Sequence, residues 1–199
     1  MLGFASECIR MRSIMKKIII VLMFFAVITS GYKKPDVYVI DASNNAQLHN
    51  NRGVEYRNEK CYYAAIQEFK IAISLSPNTQ ATAVYYTNLG DTYMEIGYPD
   101  WAQDAYERAL SQYSLNLLYY KNLVKCFKAL NIIPAKIQQY STDKSPLSKV
   151  MLGLLYAENG DLRRAIITLD DFAMSEPDLM ITGAVKQELR ELVQQANGG

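Results

Sequence analysis

The sequence predicts an all-α chain built as a superhelix of about four stacked helix–turn–helix repeats, closed by one further helix. Three observations predict it. Small and aromatic residues recur at fixed offsets: Gly53, Tyr56, Ala65, Phe69, Ala72 and Pro77 stand at 0, 3, 12, 16, 19 and 24. Gly90, Tyr93, Ala102, Tyr106 and Ala109 keep the first five, and Gly153, Tyr156, Ala165, Leu169, Phe172 and Pro177 keep all six. The anchor positions 53, 90, 124 and 153 are 37, 34 and 29 residues apart, the spacing of paired helices in a repeat array. Turn residues such as Gly97 with Pro99, and Gly160 with Asp161, punctuate the pattern.

The offsets have a packing reason. Glycine on the first helix and alanine on the second let two helices approach. Tyr56, Tyr93, Phe127 and Tyr156 then fill the space alongside. One pair cannot bury its apolar face alone, so neighbours must stack. These residues are therefore read as core. The tyrosines at 85, 86, 119 and 120 have helical spacing and read as core, with a partial interface as the alternative.

The repeats follow one another along the chain. The first covers about 46–79, with Ser43, Asn44 or Asn45 positioned to cap its first helix and Lys60 where a glycine is usual. Its second helix is predicted over Tyr62 to Leu75, before Pro77. The second repeat covers 83–116; Gly97 ends its first helix and Pro99 begins its second. The third, 117–145, is five residues short, and its second helix has room for barely two turns between Pro134 and Tyr140. The fourth covers 146–179. A last amphipathic helix over 181–195 carries Val185, Leu189, Leu192 and Val193 on one stripe and reads as a cap.

This pattern resembles the tetratricopeptide repeat family over roughly Ala46 to Pro177. The resemblance implies a right-handed superhelix whose first helices line a concave groove for an extended peptide or a partner's helix. It also implies asparagines facing that groove two residues before the glycine position. Asn51, Asn88 and Asn122 stand there, able to hydrogen-bond a ligand's backbone. Beside Asn122, Lys121, Lys125 and Lys128 form one helical stripe, which Arg57 extends. Such a stripe favours a carboxylate or an acidic segment of a protein partner; ordinary solvated charge is the alternative. The family's carboxylate clamp also uses a lysine and an asparagine one turn apart on the first repeat. Asn50 and Val54 occupy those places, and Asp91 and Glu95 on the second repeat oppose an acidic ligand.

The N-terminus reads as a targeting segment. Arg10, Arg12, Lys16 and Lys17 precede eleven apolar residues, Ile18 to Ile28, and then Thr29, Ser30 and Gly31. That is the order of a secretory signal, and eleven residues are short of the roughly twenty needed for a span. Residues 1–31 are thus a signal peptide cut near Gly31 or an uncleaved membrane anchor; Met15 looks like its natural start. The junction resembles a lipoprotein signal, but Tyr32 stands where the lipidated cysteine would be. Residues 32–45 are a linker and 46–199 the repeat domain. The chain is expected to be exported, periplasmic or anchored facing the periplasm, touching membrane only through this segment.

Composition excludes several functions. Of the 199 residues, 21% are charged and 50% apolar, ordinary for a globular chain. Beyond residue 31 there are 17 basic and 19 acidic groups, a net of −2, with no basic excess for nucleic acid. No catalytic, cofactor or metal set is found. His49 is the one histidine and sits at a packing position; Cys8, Cys61 and Cys126 lack zinc spacing and read as free thiols. Asp170 and Asp171 read as solvated charge. The expected function is a non-catalytic scaffold joining envelope proteins, with an accessory subunit of an envelope hydrolase or assembly machine as the alternative.

Overall fold

The structure, a computed structural model, describes residues 42–198. The basic and apolar segments of the N-terminus, and the linker up to residue 41, lie outside the described residues. Among those described there are nine α-helices. They pair as α1 (Ala42–Asn58) with α2 (Tyr62–Leu75), α3 (Gln80–Glu95) with α4 (Pro99–Gln112), α5 (Leu117–Ala129) with α6 (Ile133–Thr142), and α7 (Pro146–Glu158) with α8 (Leu162–Ser175). Helix α9 (Thr182–Gly198) packs on α8. None of the described helices is long and apolar enough to cross a membrane.

Each pair reverses at the same place. The residue seven beyond the anchor has positive φ in all four: Lys60 at 62°, Gly97 at 79°, Asn131 at 57° and Gly160 at 83°. Left-handed backbone ends a helix cleanly, and only glycine adopts it without a Cβ penalty. Side chains start the next helices. Thr79 accepts from the Thr82 amide in a reciprocal capping box, Asn116 from Leu118, Ser145 from Ser148 and Asp161 from Arg164. Hydrogen bonds from Ser148 and the Ser145 amide hold the Asp143 carboxyl below its usual range, and those from Arg164 do the same for Asp161. Where the sequence places a cap at Ser43, Asn44 or Asn45, the helix already runs from Ala42. Ala46, fully buried with Ala72 and Tyr85, anchors that turn within α1.

The anchor glycines serve a closer approach than that of two backbones. A Cβ on Gly53 would lie 2.5 Å from the Phe69 ring, one on Gly90 2.6 Å from the Tyr106 ring, and one on Gly153 2.5 Å from Leu169. The large side chain at offset 16 of the second helix thus lies on the bare face of the first. Ala65, Ala102 and Ala165 are fully buried beside it.

The aromatic at offset 3 is covered from the second helix. Trp101 meets Tyr93 edge-on with centroids 5.4 Å apart. Arg164 lies 4.5 Å over Tyr156, and the Lys136 ammonium 4.7 Å over Phe127. Tyr56, expected in the core, is instead 37% exposed. Ala64 stands where Trp101 and Arg164 stand in their repeats, and a methyl group covers no ring.

One apolar cluster runs from Ala65 in α2 to Leu192 in α9. The first helices touch along one layer, α1 with α3, α3 with α5 and α5 with α7. The third pair packs least within itself, because α6 has only 10 residues. Tyr85, Tyr119 and Tyr120 are buried, and burial raises the phenol of Tyr120 to about 12.

Candidate functional site

The first helices carry the residues that sequence reasoning selects for a groove. Asn88 on α3 donates from Nδ2 to Oδ1 of Asn50 on α1 at 2.8 Å. Asn51 Oδ1 accepts from Gln47 at 2.8 Å within α1. Asn122 on α5 donates to Asp91 Oδ1 on α3 at 3.2 Å. The same oxygen accepts from the Tyr106 hydroxyl at 2.7 Å, while Arg57 Nη1 lies 3.4 Å from Oδ2. Arg57 also faces Glu95, at 3.8 Å. Burial first, and then the Asp91 carboxylate, drive the Tyr106 phenol pKa upward. Two of the three asparagines therefore lace adjacent repeats together.

The lysine stripe divides in three. Lys121 pairs with Glu188 on α9 at 2.7 Å, and Lys128 with Glu158 on α7 at 2.6 Å. Lys125, one turn from each, is exposed and has no ion pair among the described residues. It lines two adjoining hollows. One, of about 450 Å³, is walled by Lys121, Lys128, Leu154, Glu158, Glu188 and Leu192 among others. The other, of about 270 Å³, is walled by Arg57, Asp91, Met94, Glu95, Tyr106 and Asn122.

Sequence reasoning named the lysines but not Glu158 and Glu188. Both lie on later helices, α7 and α9, and only the folded stack brings them to the stripe. Their spacing along the chain carries no signal of that. Asp91, read as opposing an acidic ligand, is also the acceptor for side chains of three repeats.

The other titratable groups are engaged elsewhere. His49 Nδ1 is 2.6 Å from Glu68 Oε2, linking α1 to α2. Cys126 is buried and its thiol donates to the Pro99 carbonyl at 2.9 Å; burial, with the nearby Asp100 and Glu107 charges, pushes it to about 11. Cys61 is exposed. Asp170 and Asp171 are exposed, the latter 2.6 Å from Lys149. Among the described residues no three His, Cys, Asp or Glu side chains converge as metal ligands would.

Comparison with known proteins places this geometry. The tetratricopeptide repeat family model matches residues 83–114. Among curated proteins there is no match. Similar solved structures include the crystal structure of MamA protein, 18% identical, covering 76% of this chain and 90% of that one with a TM-score of 0.46. A tetratricopeptide repeat protein from Parabacteroides merdae ATCC 43184 is 16% identical, with 77% and 62% covered and a TM-score of 0.48. YrrB, described as a TPR protein with an unusual peptide-binding site, is 18% identical, with 74% and 76% covered and a TM-score of 0.43. The matched segment falls on α3 and α4, and its glycine, aromatic and left-handed positions recur in flanking pairs, which supports the tetratricopeptide repeat family for this chain.

Proposed function

We propose that the chain is a non-catalytic scaffold of the cell envelope that holds an extended, acidic segment of a partner protein along its first helices. The repeat fold supports a protein–protein interaction role. The observation that carries the finer reading is Lys125. It is an unpaired ammonium at the junction of two hollows whose other charged walls are already paired with one another. Counting Lys121, Lys125 and Lys128 against Glu158 and Glu188, the larger hollow has one positive charge in excess. A segment placing one carboxylate there matches it, with backbone groups left to find Asn51 and the hollow's rim. The surface is formed before binding, so little rearrangement accompanies it. The envelope location rests on the basic and apolar run at the N-terminus. Attachment or export through that run would leave the repeats free to join envelope proteins.

The test is cross-linked affinity capture with the full chain, beside Lys125→Glu and Lys144→Glu. Lys144 is exposed and lies outside both hollows. An envelope protein lost with Lys125→Glu but kept with Lys144→Glu supports the reading. The same partners with all three forms refute it.

A further inference from the structure

The second helices leave a different hollow. It is about 500 Å³, with Leu89 and Tyr93 of α3 beneath, Lys70 and Ile73 of α2 on one wall, and Asp100, Trp101, Asp104 and Arg108 of α4 on the other. It shares no residue with the two hollows around Lys125. Three rings meet at its α4 side. Trp101 stands edge-on to Tyr93 and lies 5.8 Å from Tyr98 at a tilt of 31°. Yet Trp101 remains 60% exposed and Tyr98 48%.

Packing does not account for that much open indole. Covering the offset-3 aromatic needs only one edge of Trp101, and the fourth repeat does the same with Arg164. The exposed part of the indole is surplus to the fold. The charges beside it are also incompletely used. Asp104 pairs with Arg108 at 2.8 Å, but Asp100, next to Trp101, has no hydrogen bond or ion pair among the described residues. On the α4 wall Asp100 and Asp104 stand against the single cation Arg108; Lys70 on the facing wall balances the lining as a whole, so the negative excess is confined to the α4 side.

An indole face with a free carboxylate beside it is an arrangement for a cation on a flexible apolar stem. The ring quadrupole attracts the charge and the ring itself takes the methylenes. We propose that this hollow is a second docking site, taking a lysine- or arginine-bearing segment of a partner protein. The cation lies over Trp101 beside Asp100, and neighbouring apolar side chains rest on Ile73, Leu89 and Tyr93. Lys70 on the facing wall confines the cation to the α4 side and weakens the site.

Trp101 is the chain's one tryptophan, so its fluorescence reports this site alone. The full chain is titrated with a short peptide of alternating lysine and leucine, and with the same peptide acetylated on every lysine side chain. A saturable change is expected with the first, with binding about fivefold weaker after acetylation. Asp100→Asn is expected to weaken the lysine peptide about fivefold, and Lys70→Glu to tighten it about threefold. Lys144→Glu, exposed and outside all three hollows, leaves it unchanged. A melting curve shows that Asp100→Asn is folded, and Lys70→Glu tests the same charge logic from the other wall. Absence of a Trp101 response, equal binding of the acetylated peptide, or indifference to both substitutions overturns the proposal.

Discussion

Lys121 on α5 and Glu188 on α9 are 67 residues apart in sequence and 2.7 Å apart in space. The bridge ties the closing helix to the third repeat. Glu188 is the better buried partner, 14% exposed against 38% for Lys121. A partly screened pair of this kind contributes about 1 kcal/mol. In a double-mutant cycle of Lys121→Met and Glu188→Gln, a coupling of about that size is expected by urea unfolding, shrinking at high salt. A coupling indistinguishable from zero at low salt would mean that the two groups do not hold each other in solution.

The anchor glycines predict a clash with a defined victim. Gly90→Ala puts a methyl group against the Tyr106 ring, and that ring also carries the hydrogen bond to Asp91. A loss of about 1–3 kcal/mol is expected. The same range applies to Ala102→Leu, where a fully buried methyl is replaced by a larger group. Thermal melts of both variants check this; an unchanged melting temperature in either contradicts the packing described.

The turn positions predict opposite signs for opposite changes. Lys60 holds φ at 62°, where its Cβ is strained, so Lys60→Gly should stabilise by about 0.5–1 kcal/mol. Gly97→Ala, at 79° with open space around it, should cost about 1 kcal/mol through backbone strain alone. Chemical denaturation measures both, and equal signs would refute the shared left-handed turn.

Alkaline pH should loosen the fold. The folded Cys126 thiol holds its proton up to about 11, whereas an unfolded one releases it near 9.0. Between those values the unfolded chain binds fewer protons, so stability falls as pH rises. Tyr120 adds the same trend between 10.0 and about 12. Melting temperatures measured from pH 8 to 11 should decline, and less steeply in Cys126→Ala. In mapping with a thiol reagent at pH 8, Cys61 should react in the native protein and Cys126 only after unfolding.

The repeats were legible because their rules are local. Glycine, the ring sixteen residues on and the left-handed turn are all set within one helix pair, so fixed offsets reveal them. Tyr56 shows the limit. Its offset marks it as core, but whether a ring is covered depends on the residue eleven positions past the anchor, and the first repeat has Ala64 there. The stripe of Lys121, Lys125 and Lys128 was legible for the same local reason. The pairing of its two ends was not, because Glu158 and Glu188 arrive from separate turns of the stack. The hollow at Trp101 was missed because a tryptophan at helical spacing resembles any other apolar residue until its exposure is known.

Asp91 receives Arg57 from the first repeat, Tyr106 from its own and Asn122 from the third. A repeat array is usually treated as a row of tiles, each sensing only the tile beside it. Here one carboxylate is a three-way junction, and removing the middle tile would strand donors on both sides. The second repeat is therefore a keystone rather than an interchangeable cassette. Shortening the array from either end should disturb the centre before it disturbs the opposite end.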